Sequence, residues 1–98
     1  MEVRFHQLVQ RDLHEILTYY ELQSGRELAD QFYSEFLKLV QKAQDQPKHF
    51  HLDPSGLRRC NITKYNHHFL YRIKSDHIRI QVLKHNHRHP GFGLARKP

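Results

Sequence analysis

Residues 67–90, HHFLYRIKSDHIRIQVLKHNHRHP, restrict the fold more than any other part of the chain. Phe69, Tyr71 and Ile73 alternate with His68, Leu70, Arg72 and Lys74; further on, Ile78, Ile80 and Val82 alternate with His77, Arg79, Gln81 and Leu83. Alternation with a period of two marks strands buried on one face. Ser75 and Asp76 between them form the short polar connection of an antiparallel hairpin. The pleat then gathers Arg72, Lys74, Arg79 and Gln81 on the far face. The expectation is a sheet with one apolar side and one cationic side.

Upstream, Val3 and Phe5 alternate with Glu2, Arg4 and His6 as a short first strand. The period then changes. Val9, Leu13, Ile16, Leu17 and Tyr20 recur at helical spacing, with Arg11, Asp12, His14 and Glu15 mostly outside that stripe. Gly25 can end this helix by adopting a conformation other residues avoid. Ser24 and Glu27 fit a capping box for a second helix that carries Leu28, Phe32, Phe36, Leu39, Val40 and Ala43 and stops before Pro47. The helices are expected over about residues 8–23 and 25–45.

Residues 47–56, PKHFHLDPSG, read as a loop. Residues 57–63 follow as a strand with Cys60 and Ile62 inward, Arg59 and Asn61 outward, and Arg58 reaching water from a fraying end. Lys64, Tyr65 and Asn66 turn the chain into the hairpin. The element order is β-α-α-β-β-β, an α+β fold: a helical hairpin on one face of a small, mainly antiparallel sheet. Arg59, His68, Arg72, Arg79 and Gln81 are then expected on an open basic surface. The whole chain, 1–98, reads as a single domain.

A formal net charge of +6, with ten histidines uncounted, favours an acidic partner: a nucleic acid or an acidic protein. The lone Cys60 excludes an intramolecular disulfide and fits a reducing compartment. Its smallness and inward parity make it a core residue rather than a nucleophile. The first residues, MEVRFHQ, carry no continuous apolar run, so neither a signal peptide nor a membrane span is expected, and the protein is read as cytoplasmic.

Three constellations bear on chemistry. His85, His87 and His89 alternate and would share one side of an extended chain, but no cysteine or carboxylate ligand lies nearby, so no metal and no cofactor is assigned. His85, His87, Arg88 and Lys64 supply the residue types for metal-independent RNA cleavage. Histidine exchanges protons near neutral pH, and arginine or lysine holds the phosphate. A solvated basic edge accounts for the same residues. The third reading is binding without chemistry, in which the basic face or a strand edge receives an acidic segment.

The strand-helix-helix-strand order, LRRCNIT, HHFLYRIKSDHIRIQVLKH and the closing H-x-x-R-x-P of His85 to Pro90 resemble the RelE/ParE toxin superfamily, as do Asp12-Leu13 and Phe32. The resemblance implies the toxin of a type II toxin-antitoxin pair, of the plasmid-stabilisation type, whose growth inhibition is masked by a small acidic antitoxin. RelE-like members are mRNA interferases that cut message on the ribosome without metal; ParE-like members inhibit DNA gyrase. The positions where the nuclease branch carries its working residues hold Lys64, Arg88 and Phe92. Phenylalanine can stack on a base but exchanges no proton. The H-x-x-R-x-P ending and the Tyr71-Arg72-Ile73 strand look more ParE-like. Arg59, Arg72, Arg79, Arg88 and Phe92 are the residues expected to contact target or antitoxin.

Overall fold

The computed structural model describes residues 1–97. Its elements are β1 (Glu2–Phe5), α1 (Val9–Ser24), α2 (Arg26–Asp45), β2 (Arg58–Ile62), a 3-10 turn (Thr63–Tyr65), β3 (His67–Ile73) and β4 (His77–His85). The strands make one four-stranded sheet in the order β1-β4-β3-β2. β1 runs parallel to β4, and the other neighbours are antiparallel. This is the α+β arrangement that the alternating periods anticipate.

The helical hairpin turns on one residue. Gly25 has φ 91°, which a side chain would oppose, and its N–H donates to the Glu21 carbonyl to close α1. The capping box does not form: Ser24 is the last residue of α1, and Gly25 itself caps α2 without a side-chain hydrogen bond. Phe32, Phe36, Val40 and Ala43 of α2 are buried against Cys60, Phe69, Tyr71, Ile78 and Ile80 of the sheet. Phe36 meets Phe69 edge-on at 5.6 Å, and Phe32 meets Tyr65 at 5.2 Å. Burial pushes the Cys60 thiol up to about 12, so it stays a neutral core group.

The strict alternation read for β4 breaks at a bulge. Leu70 pairs with Val82 but Tyr71 pairs with Ile80, leaving Gln81 as the extra residue. Parity therefore switches. Leu83 joins the core under the helices, and Val82 turns to the opposite face with Leu57 and Leu70. That opposite face is not an open basic surface. The chain after β4 folds back over it as a strap, packing Phe92 and Leu94 onto Leu57, Leu70 and Val82. Gln81 donates to the Gly93 and Arg96 carbonyls. His68 and Lys84 are each 4% exposed. Arg58 is half-buried, and its guanidinium donates to the Phe50 carbonyl at 2.7 Å and the Lys48 carbonyl at 3.4 Å.

The strap ends at a buried ion pair. Arg96 grips Asp12 through two hydrogen bonds of 2.6 and 2.7 Å, and the Leu83 N–H donates to the same carboxylate at 3.1 Å. Asp12 thus lies inside the fold, although the helical stripe placed it outside. His6 is buried nearby. Its Nδ1 accepts the Leu8 N–H, which leaves Nε2–H to donate to the Lys97 carbonyl at 2.6 Å.

Two substitutions test the strap. Asp12→Ala leaves a buried guanidinium and a buried N–H unpaired and should cost about 3–5 kcal/mol in urea denaturation, more than the double change Asp12→Leu with Arg96→Leu. Gly93 has φ 82°, and an added Cβ would come within 2.7 Å of Val82 Cβ. Gly93→Ala should therefore lower stability by about 1–3 kcal/mol and expose the strap to proteolysis before the sheet.

Candidate functional site

Between α1 and the end of β4 lies a cleft of about 460 Å³. α1 contributes Asp12, Glu15, Ile16, Tyr19 and Tyr20, residues three and four apart that share one helix face. β3 contributes His67, β4 contributes Leu83, Lys84 and His85, and the strap contributes Arg88 and Phe92. The β4 bulge is what brings His85 here, directly opposite His67 in the ladder.

His67 is held from behind. Its Nδ1–H donates to the Tyr65 carbonyl at 2.6 Å, and the Tyr20 hydroxyl donates to the same oxygen at 3.2 Å. The neutral ring then keeps its lone pair on Nε2. The His85 ring stands edge-on to it at 4.9 Å. His85 Nδ1 accepts the His87 N–H at 3.0 Å, so the neutral ring carries its proton on Nε2. In these tautomers one imidazole in the cleft presents a hydrogen-bond acceptor and its neighbour a hydrogen-bond donor. Burial is the first cause that lowers the His67 pKa from 6.5, and the neighbouring His85 and His68 lower it further.

Arg88 reaches the same cleft, with its guanidinium stacked 3.8 Å from the centre of the Phe92 ring. Arg96 lies 5.1 Å from that ring on its way to Asp12. Phe92 therefore supports the Arg88 guanidinium through a cation–π contact.

The structure divides the other residues named from sequence. Lys64 sits in the 3-10 turn with its ammonium 5.7 Å over the Tyr65 ring and does not line the cleft. His87 is exposed and outside the lining, although its ring lies 5.1 Å from that of His85. His89 follows a turn and accepts the Gly91 N–H, so the three alternating histidines are not in an extended chain. Arg72 and Arg79 face each other near the hairpin turn, at the end of the sheet away from His67 and His85. Arg59 is on β2, hydrogen-bonded to Asn61 and Asn86. His67 and Tyr20 were not named as site residues because they share the apolar faces of β3 and α1, and Tyr19, off the apolar stripe, carried no signal.

Histidine burial makes stability depend on pH. For His67 and His68 the folded pKa is lowered below 6.5, chiefly by burial, so the unfolded chain binds more protons in that range. Their contribution is complete above the unfolded pKa and is lost as pH falls through it towards the folded value. Urea midpoints should drop between about pH 7 and pH 5, and His67→Gln should flatten that dependence.

A family model described as the ParE toxin of type II toxin-antitoxin systems, parDE, matches residues 3–90. No curated protein sequence matches the chain. Among solved structures, a chain of the chromosomal ParDE toxin-antitoxin system from P. aeruginosa has the same fold. Its TM-score is 0.77 at 20% identity, over 87% of this chain and 95% of that one.

Proposed function

The chain belongs to the ParE toxin family of type II toxin-antitoxin systems, and from that membership we propose a growth-arresting cytoplasmic toxin that inhibits DNA gyrase and is neutralised by a cognate acidic antitoxin. The observation that carries the gyrase reading is the state of Phe92. Where nuclease relatives commonly place a tyrosine, this chain has a ring without a hydroxyl, committed to stacking between Arg88 and Arg96. Lys64 lies outside the cleft, and the Lys84 ammonium is engaged by the Pro90 and Phe92 carbonyls. Arg88 and its exposed neighbours then serve as contact residues. The proposed antitoxin carries acidic side chains for the net charge of +6 and apolar side chains for the groove beside Phe5, Tyr33 and Leu37.

One observation favours the second reading, a ribosome-dependent mRNA endonuclease. His67 and His85 stand edge-on in the cleft that Arg88 also lines, two imidazoles beside a cation, the residue types that acid-base cleavage of RNA uses. In that case Arg88 holds the scissile phosphate and His85 exchanges protons with the reacting oxygens.

Induction of the chain, followed by transcript-end mapping and a gyrase supercoiling assay, separates the two. The expected outcome is inhibited supercoiling with intact transcripts, relieved when the adjacent small open reading frame is co-expressed. Codon-phased cleavage with normal gyrase reverses the assignment, and His85→Ala should then reduce cleavage by about 10²–10⁴-fold.

A further inference from the structure

The hairpin end of the sheet carries a row of like charge. β1, β4 and β3 are consecutive neighbours, and their registers set Arg4 opposite Arg79 and Arg79 opposite Arg72. The three residues share the face away from the helices, because Val3, Ile78 and Ile73 beside them turn towards the core. Arg79 is half-buried between two exposed arginines. Adjacent strands lie about 4.8 Å apart, so the side chains leave the sheet at that spacing.

Like charges directly opposite one another weaken a ladder. The row is therefore a cost to folding rather than a requirement of it, since glutamine or threonine would hold the strands without the repulsion. The four strands and the hairpin turn contain two carboxylates, Glu2 and Asp76. Glu2 is taken by Arg4 at 3.0 Å, and Asp76 accepts the His77 Nδ1–H at 2.7 Å. The residual charge of this end of the sheet thus resides on Arg79 and Arg72.

The row is separate from the other cationic feature of the same face. At the far end, under the strap, a cup of about 90 Å³ is lined by Asp53, Arg59, His68, Lys84, Asn86 and Arg88. Arg4, Arg72 and Arg79 line neither that cup nor the cleft. The row does border the apolar groove. Phe5 follows Arg4 in the edge strand and turns to the other face, where it is 45% exposed and lines the groove with Tyr33 and Leu37.

We propose that this row anchors the antitoxin, with an acidic helix of that partner lying across β3, β4 and β1 and its chain continuing round the β1 edge into the apolar groove. The proposal rests on the antitoxin reading above and adds where its acidic side chains go. Carboxylates three or four residues apart on a helix stand about 5–6 Å from one another, close to the strand spacing. Alternate residues of an extended chain stand about 6.6 Å apart and match the row less well. A carboxylate accepts paired N–H groups from arginine, which gives the row direction as well as charge. Held at the hairpin end, the helix leaves His67 and His85 uncovered.

The test is calorimetric titration of the full chain with the full-length product of the adjacent small open reading frame, repeated over a salt series. Arg72→Gln with Arg79→Gln should raise Kd by at least about tenfold and flatten its dependence on salt. The urea midpoint of this double variant should stay at or above that of the unaltered chain, because a like-charge contact has been removed. Arg72→Gln alone, at an exposed position, serves if the double variant fails to fold. Arg26→Gln with Lys48→Gln removes the same charge from exposed positions outside the row and should change Kd by less than about threefold. A single-stranded RNA oligonucleotide is titrated in parallel. Unchanged antitoxin affinity in the folded row variants overturns the proposal, and so does an equal loss in the control pair. Loss of RNA affinity with antitoxin affinity unchanged overturns it in favour of nucleic acid. In these three cases the unaltered chain still binds the antitoxin, so the antitoxin reading stands; failure of the unaltered chain to form a complex sinks both.

Discussion

The contact on which the molecule depends closes an unpaired sheet edge. β1 pairs with β4 only as far as Phe5 and Ile80, with one more bond from the His6 N–H to the Ile80 carbonyl. Beyond that point β4 would present bare backbone groups on its β1 side, inside the fold. Asp12 takes the Leu83 N–H and Arg96 donates to the Gln81 carbonyl, so a side-chain ion pair does what a longer β1 would have done. The pair spans 84 residues and joins the first helix, the last strand and the C-terminal strap. Desolvation makes such a pair costly to build. Its value here is the positions it fixes rather than its net stabilisation.

The bulge at Gln81 is the second device, and both cavities follow from it. Unbroken alternation would send Lys84 towards the helices and His85 towards the strap. The extra residue reverses this, burying Lys84 below Pro90 and Phe92 and placing His85 against His67. One inserted residue thus places a histidine in the aromatic cleft and a lysine where it lines both the cleft and the cationic cup.

The helices, β3 and the aromatic core were legible because each obeys a single period. Phe32, Phe36, Phe69 and Tyr71 show it, all read as core and all buried. What was illegible lay where the period breaks or where long-range pairing overrides it. Leu83 stood among polar parities in a strand otherwise alternating cleanly, and that mismatch is the one sequence signal of the bulge. Asp12 lay off the apolar stripe, and nothing local announces that an arginine 84 residues away will bury it. The strap was hidden for the same reason: GFGLARKP is short, glycine-bearing and cationic in the sequence, yet Phe92 and Leu94 pack onto Leu57, Leu70 and Val82.

Net charge, accordingly, says less about this protein than the fate of each cation. Arg96 is consumed by Asp12, Arg58 by loop carbonyls, and Arg4 pairs with Glu2 at the exposed edge. Arg79 stands between Arg4 on β1 and Arg72 on β3, a row at the hairpin end of the sheet. Arg88 belongs to neither group. It lines both cavities, and its orientation is inherited from Phe92, which is held in turn by the strap. A partner that lifts the strap would therefore disturb the cleft and the cup together, because Arg88 lines both and Lys84, which lines both as well, is held by the Pro90 and Phe92 carbonyls of the strap. The geometry of that shared region is maintained in turn by the buried Asp12–Arg96 pair at the end of the strap.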